Sequence, residues 1–91
     1  MLELKLAKDA EKFLLRLPTK HGNQIARKIQ MLRENPHQQD AEKLRGYPYQ
    51  RVDSGEYRII YEIAGAVLYV LIIGKRNDDE VYNRLKRKFS S

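Results

Sequence analysis

No cysteine and no tryptophan occur in this chain of 91 residues, and histidine and methionine appear twice each. Without cysteine there is no disulfide-stapled scaffold, no thiol nucleophile and no cysteine zinc site. A cysteine-free chain suits a reducing compartment, and a cytoplasmic location is the expectation. His21 and His37 fall in polar segments with no companion at metal-ligand spacing, so both are expected to be solvated surface residues. Asp78, Asp79 and Glu80 are consecutive acids, but they open a helical pattern, where acids serve capping and the helix dipole. A hard cation wants ligands converging from several segments, so neither metal nor cofactor is expected. Long apolar runs are missing too. The longest, Ala66 to Ile73, is far short of the roughly 20 residues that span a bilayer. The opening Met1-Leu2-Glu3-Leu4-Lys5 does not read as a signal peptide, and no membrane association is expected. Ser54-Gly55 has no histidine placed to serve it as a nucleophile elbow, and nothing resembles a phosphate-cradling glycine loop.

What the chain does have is positive charge on a globular composition. Hydrophobic residues make up 42% and charged residues 33%, with a formal net charge of +6. A chain of this length buries only about 60–65% of its unfolded surface, so residues 1–91 are read as a single domain with one thin core. The excess of Lys and Arg is uneven: net +2 up to Glu42 and net +4 from Lys43 onward. An anionic partner is implied, and the second half carries the stronger signal for its site.

Hydrophobic periodicity gives the elements. Leu2, Leu4 and Leu6 alternate with charged residues as in a half-buried strand. Ala10, Phe13, Leu14 and Leu17 form a helical stripe, Pro18 ends it, and Thr19 is placed to cap a second helix with the stripe Ile25, Ile29, Leu32. Asn35-Pro36 stops that helix, because the residue before proline leaves the helical region. After a polar loop and Lys43-Leu44-Arg45-Gly46 the strand pattern returns. Tyr57, Ile59, Tyr61 and Ile63 alternate with Arg58, Ile60 and Glu62, and Ala64-Gly65-Ala66 is a hairpin turn. Val67 to Ile73 is apolar without alternation, as in a central strand covered on both faces. Asp78 or Asp79 can cap a last helix with the stripe Val81, Leu85, Phe89 and a far side of Arg84, Lys86, Arg87 and Lys88, read as a solvated face. The order is βααβββα: an α+β, two-layer domain with a mostly antiparallel sheet of about four strands, an N-terminal helical hairpin and a C-terminal helix.

In a hairpin turning at Gly65, Arg58 and Lys75-Arg76 come to the same end of the sheet, and Arg45 and Arg51 approach from the preceding strand. Whether they share a face depends on register. Tyr82 projects from the first turn of the last helix. Arginines converging with a tyrosine suit a phosphate-plus-base surface, with guanidinium forks on the phosphate and the ring stacked on a base. A charge inside an apolar strand needs a partner, and for Arg58 the same-face Glu62 is the structural alternative.

These segments resemble a known family. Lys43-Leu44-Arg45-Gly46, Gly55-Glu56-Tyr57-Arg58-Ile59-Ile60-Tyr61, Ile73-Gly74-Lys75-Arg76 and Glu80-Val81-Tyr82, in this order and spacing, resemble the RelE toxins of type II toxin–antitoxin pairs from Leu4 to about Lys88. The resemblance implies a RelE-like fold and a metal-independent mRNA endonuclease that works in the ribosomal A site, inhibits translation and is silenced by a cognate antitoxin. In such toxins the ribose 2′-hydroxyl attacks the adjacent phosphate, leaving a 2′,3′-cyclic phosphate and a 5′-hydroxyl. By similarity Arg58 would stabilise the developing charge, and Arg76, aided by Lys75, would contact the phosphate and the leaving oxygen. Tyr82 would stack on the base, and Lys43, Arg45 and Tyr49 would hold flanking RNA, with Lys86 beside them. The lysines that the family often carries on the preceding strand are matched here by Tyr49 and Arg51. Arginine keeps the charge but, with a pKa above about 12, accepts protons poorly. The base is therefore left open between Tyr49 and a displaced lysine. The C-terminal histidine–tyrosine of the YoeB branch is replaced by Phe89-Ser90-Ser91. Two rivals stay open: a ParE-like toxin that binds DNA gyrase, and a non-catalytic member that binds only antitoxin or RNA.

Overall fold

The computed structural model describes residues 1–77 and 79–89, at 89 the backbone only. Its elements are β1 (Glu3–Leu6), α1 (Lys8–Arg16), α2 (Thr19–Glu34), β2 (Glu42–Lys43), β3 (Gln50–Ser54), β4 (Tyr57–Ala64), β5 (Val67–Lys75) and α3 (Glu80–Phe89). They build one five-stranded sheet in the order β1-β5-β4-β3-β2. All neighbours are antiparallel except β1 and β5, which run parallel with Leu4 opposite Leu68. The α+β class and the run of elements are those expected from the pattern. The extra strand is β2, whose two residues are too short to carry a period.

Alternation divides the core between the two faces of the sheet. Val52, Tyr57, Ile59, Tyr61, Leu68, Val70 and Ile73 pack with Ala10, Ile25, Ile29 and Leu32 of the helical hairpin. Ile60, Leu71 and Ile72 point the other way and pack with Val81 and Leu85 of α3, and with Leu44 and Tyr49. Ile25, Leu32, Ile59, Ile60 and Ile72 are fully buried, and each such side chain removed from water contributes about 1.5–3 kcal/mol. β5, between β1 and β4, is buried almost end to end, as its continuous apolar run requires. A bulge at Leu71, between the pairs Ile60–Ile72 and Tyr61–Val70, puts the consecutive Leu71 and Ile72 of β5 on one face, while Ile59, Ile60 and Tyr61 of β4 alternate and are all buried because both faces are covered.

Two tight hairpins order the site-bearing strands. Ser54 pairs with Tyr57 and Ala64 with Val67, so Gly55-Glu56 and Gly65-Ala66 are two-residue turns. In each the first turn residue is a glycine at φ 59°, a left-handed value that a side chain disfavours. Two local expectations change, those for Thr19 and His21. Pro18, not Thr19, occupies the cap of α2, because proline's fixed φ suits the extended cap conformation, and no side chain closes the end. Asp79 accepts the Asn83 N–H through its carbonyl at the start of α3, while Asp78 lies outside the described residues. His21 is not a freely solvated histidine: its Nδ1 is 2.6 Å from the hydroxyl of buried Tyr57, and their rings meet edge to face. No helix among the described residues is long and apolar enough to cross a membrane.

Candidate functional site

The β3–β4 hairpin places Arg51 opposite Ile60 and Asp53 opposite Arg58, all on the α3 face of the sheet. Arg58 grips Asp53 with two arms, Nε to Oδ1 at 2.8 Å and Nη2 to Oδ2 at 3.2 Å. Its remaining arm, Nη1, donates to the Tyr82 hydroxyl at 2.7 Å. Arg51 donates to the same hydroxyl at 3.2 Å and turns its other arm into an ion pair with Glu42 of β2. One phenolic oxygen therefore accepts from two guanidinium groups on neighbouring strands. The backbone N–H of Arg76 donates to Glu56 at 2.9 Å, and its side chain comes to 4.0 Å from Asp53.

Gly74 is what lets α3 deliver Tyr82 to this point. It pairs with Arg58 across the sheet, and a Cβ there would stand 2.5 Å from Cγ2 of Val81 and 3.0 Å from Nη1 of Arg84. Only a residue without a side chain admits the first turns of the helix so close to β5. Arg84 uses the gap to donate to the Ile73 carbonyl at 2.8 Å, and it forms an ion pair with Asp9 of α1 beneath the Phe13 ring. α3 is thus tied to the start of α1 while Tyr82, two residues earlier, faces the arginines.

The charges interlock. Hydrogen bonding from Arg58 holds the Asp53 carboxyl below the usual range, with the Arg51 and Arg76 charges adding to it. Asp53 in turn raises the pKa of Arg58, and Glu42 raises that of Arg51. Asp53, Arg58 and Arg51 are therefore all held in their charged forms at neutral pH. Between them lies a shallow cleft of about 80 Å³ lined by Asp40, Glu42, Arg51, Val52, Asp53 and Arg58. Each of its two arginines is paired with one of its three carboxylates, and the half-buried Tyr82, whose hydroxyl both arginines share, lies beside it. Among the described residues no three His, Asp or Glu side chains converge to hold a metal.

Of the residues singled out in the sequence, Arg51, Arg58, Arg76 and Tyr82 come together. Lys86 is exposed one helical turn beyond Tyr82 on the same side of α3. Lys75 pairs with Tyr57, so it points to the opposite face from Arg58. Lys43 pairs with Gln50, and Arg45 is exposed in the turn that follows, both toward the other end of β3. Tyr49 is buried among Leu44, Ile60 and Leu71, and burial followed by the Glu62 charge pushes its phenol pKa up. The partner of Arg58 is Asp53 instead of Glu62, because the Gly55-Glu56 turn brings residue 53 directly opposite. Arg84 is likewise not part of a solvated face. Asp53, Glu42 and the Asp9–Arg84 pair went unread. The first had a signal, since a two-residue turn opening on glycine fixes the 53–58 pairing. The last had none, as its partners lie at opposite ends of the chain.

Comparison with known proteins follows this geometry. Residues 4–80 match the family model of the ParE toxin of type II toxin–antitoxin systems, parDE. No curated protein sequence matches the chain. Among solved structures, the isolated E. coli RelE toxin is similar, with TM-score 0.73, 26% identity, and coverage of 98% of this chain and 99% of that one. RelE in the intact E. coli RelBE toxin–antitoxin complex gives TM-score 0.73 and 26% identity over 86% of this chain and all of that one. The archaeal RelE–RelB complex of Pyrococcus horikoshii OT3 gives 0.73 and 26% over 84% and 96%. The family model spans most of the chain, from within β1 to the start of α3, and the chain belongs to the ParE toxin family of type II toxin–antitoxin systems, within the RelE/ParE superfamily.

Proposed function

We propose that this toxin is a ribosome-dependent mRNA endonuclease, cutting message in the A site by attack of a ribose 2′-hydroxyl on the adjacent phosphate. The observation that carries the reading is the meeting of Arg51 and Arg58 on the Tyr82 hydroxyl, with Arg76 beside the shared Asp53. Fixed cations around a shallow cleft stabilise the charge that builds on phosphorus and the leaving oxygen. A half-buried tyrosine ring at the rim offers its open side for stacking on a base, as single-stranded RNA recognition favours. Arg58 and Arg76 hold the phosphate, Arg51 supports Tyr82, and Lys43, Arg45, Lys75 and Lys86 attract flanking RNA. No step requires a metal or cofactor. The partner that silences it is a cognate antitoxin, in keeping with the toxin–antitoxin complexes of similar fold, and the setting is the cytoplasm.

A second reading, binding of DNA gyrase without RNA cleavage, has one observation in its favour, the match to the ParE family model. Induction without antitoxin separates the two. Primer extension on cellular RNA should map cuts within translated codons for the wild type and none for Arg76→Ala, and translation should fall before DNA synthesis. Intact message with gyrase-linked DNA breaks would establish the second reading instead.

A further inference from the structure

In-line attack by a 2′-hydroxyl requires a proton acceptor beside the phosphate cations. Tyr49 is a poor choice. Its phenol is kept protonated by burial, and as the residue before the Gln50–Tyr61 pair it sits level with Glu62, about 13 Å along β4 from Arg58. Arg51 is a cation locked to Glu42. Lys75 points to the other face of the sheet. Of the carboxylates lining the cleft, Asp40 is held by Lys28 at 2.9 Å, and Glu42 is paired with Arg51 and 64% exposed. Among the described residues, Asp53 is the carboxylate that adjoins two of the phosphate-binding cations, at 2.8 Å from Arg58 and 4.0 Å from Arg76.

Resting on the endonuclease reading, we propose that Asp53 is the general base of the cleavage, its carboxylate taking the 2′-hydroxyl proton while Arg58 and Arg76 hold the phosphate under attack. The O2′–P bond forms and the P–O5′ bond breaks. The 2′ proton goes to Asp53, the departing 5′-oxygen takes a proton from water, and Asp53 returns its own to solvent. No oxidation state changes. The geometry leaves room for the step. The fork from Arg58 occupies one lone pair on each carboxylate oxygen, the others remain free, and the side chain is 35% exposed. Arg58 also couples binding to basicity. As its donors turn to the incoming phosphate, Asp53 loses the bonds that hold its pKa down, so the base strengthens when substrate arrives.

The test is single-turnover cleavage of mRNA on programmed ribosomes by the full chain, between about pH 5.5 and 8.5, where free carboxylates are ionised. The wild type should give a flat profile. Asp53→Asn should cut about 10²–10⁴-fold more slowly at neutral pH. Its residual rate should climb about tenfold per pH unit, because hydroxide then removes the proton. Asp53→His should recover part of the rate and show an acid limb near about 6.5, the pKa of the new base. A merely structural role moves neither profile, so the histidine variant decides the matter even where the asparagine variant does not fold. A flat profile in Asp53→His, or Asp53→Asn at close to the wild-type rate, overturns the assignment and leaves the endonuclease reading standing. Absence of cleavage by the wild type overturns the endonuclease reading itself.

Discussion

Arg58 and Arg84 are built alike and do different work. Each is paired with an aspartate, Asp53 or Asp9, and each lies over an aromatic ring, Tyr82 at 5.8 Å or Phe13 at 5.5 Å. The difference is where the remaining donors go. Arg84 gives one to the Ile73 carbonyl, which is fixed backbone, and burial lowers its pKa. Its bonds close inside the protein and lock α3 against α1 and β5. Arg58 gives its last arm to a half-exposed hydroxyl that another arginine already uses, beside an open cleft. A guanidinium whose partners a ligand can replace is a site; one whose partners are all internal is a fastener. In the sequence Arg58 stands out within an apolar strand and Arg84 reads as one of a run of solvated charges; the fold shows that both are paired.

The sharpest way to break this comparison is truncation of both arginine systems. Arg58→Ala should lower cleavage about 10²–10³-fold, the loss seen when one preorganised donor is removed. Its stability should change by no more than about 1 kcal/mol, because Asp53 is left where water can reach it. Cleavage within threefold or so of wild type would place the chemistry elsewhere. Asp9→Asn should do the reverse. Breaking a fully buried ion pair costs about 3–5 kcal/mol; with Asp9 32% exposed the expectation drops to about 2 kcal/mol. In a domain of this size that is about 10 °C in thermal midpoint, with the folded fraction still cutting. An unchanged midpoint would remove the fastener from the account.

Gly74→Ala probes the link between the two systems. The new methyl meets Val81 at 2.5 Å, so α3 must ride outward, at a cost of about 1–3 kcal/mol. Tyr82 moves with the helix, and activity should fall along with stability; a normal midpoint together with full activity would mean the helix is not held by this contact. The smallest effect belongs to Tyr82→Phe. It removes one acceptor shared by Arg51 and Arg58 and keeps the ring, worth about 1 kcal/mol or roughly fivefold in rate. Tyr82→Ala should be clearly worse. Equal losses in the two variants would show that the hydroxyl, not the ring, carries the function.

The fold was largely legible because its strongest periodicities are long and unopposed. The stripe Ile25, Ile29, Leu32 and the unbroken Val67–Ile73 run each demand one environment, and they receive it. β2 escaped because two residues cannot express a period. In the site, Arg58, Arg76 and Tyr82 were readable from motif order, and Arg51 from strand position. The face of Lys75 was not, because it follows from a register that only pairing fixes: Tyr57 with Lys75, Arg58 with Gly74. The carboxylates were missed for a related reason. An acid within a basic chain looks like charge balance until its cross-strand partner is known.

The parallel pairing of β1 with β5 has a consequence for when the candidate site is first assembled. Leu4 has to wait for Leu68 before the sheet can close, and Asp9 and Arg84 are separated by 75 positions. At translation rates of about 5–20 residues per second, the nascent N-terminal strand spends several seconds with its sheet partner still unmade. Contacts this distant in sequence also slow folding itself. Tyr82, which completes the cluster, emerges later still. The arginine–tyrosine cluster therefore exists only once α3 has docked, after every strand of the sheet has been made.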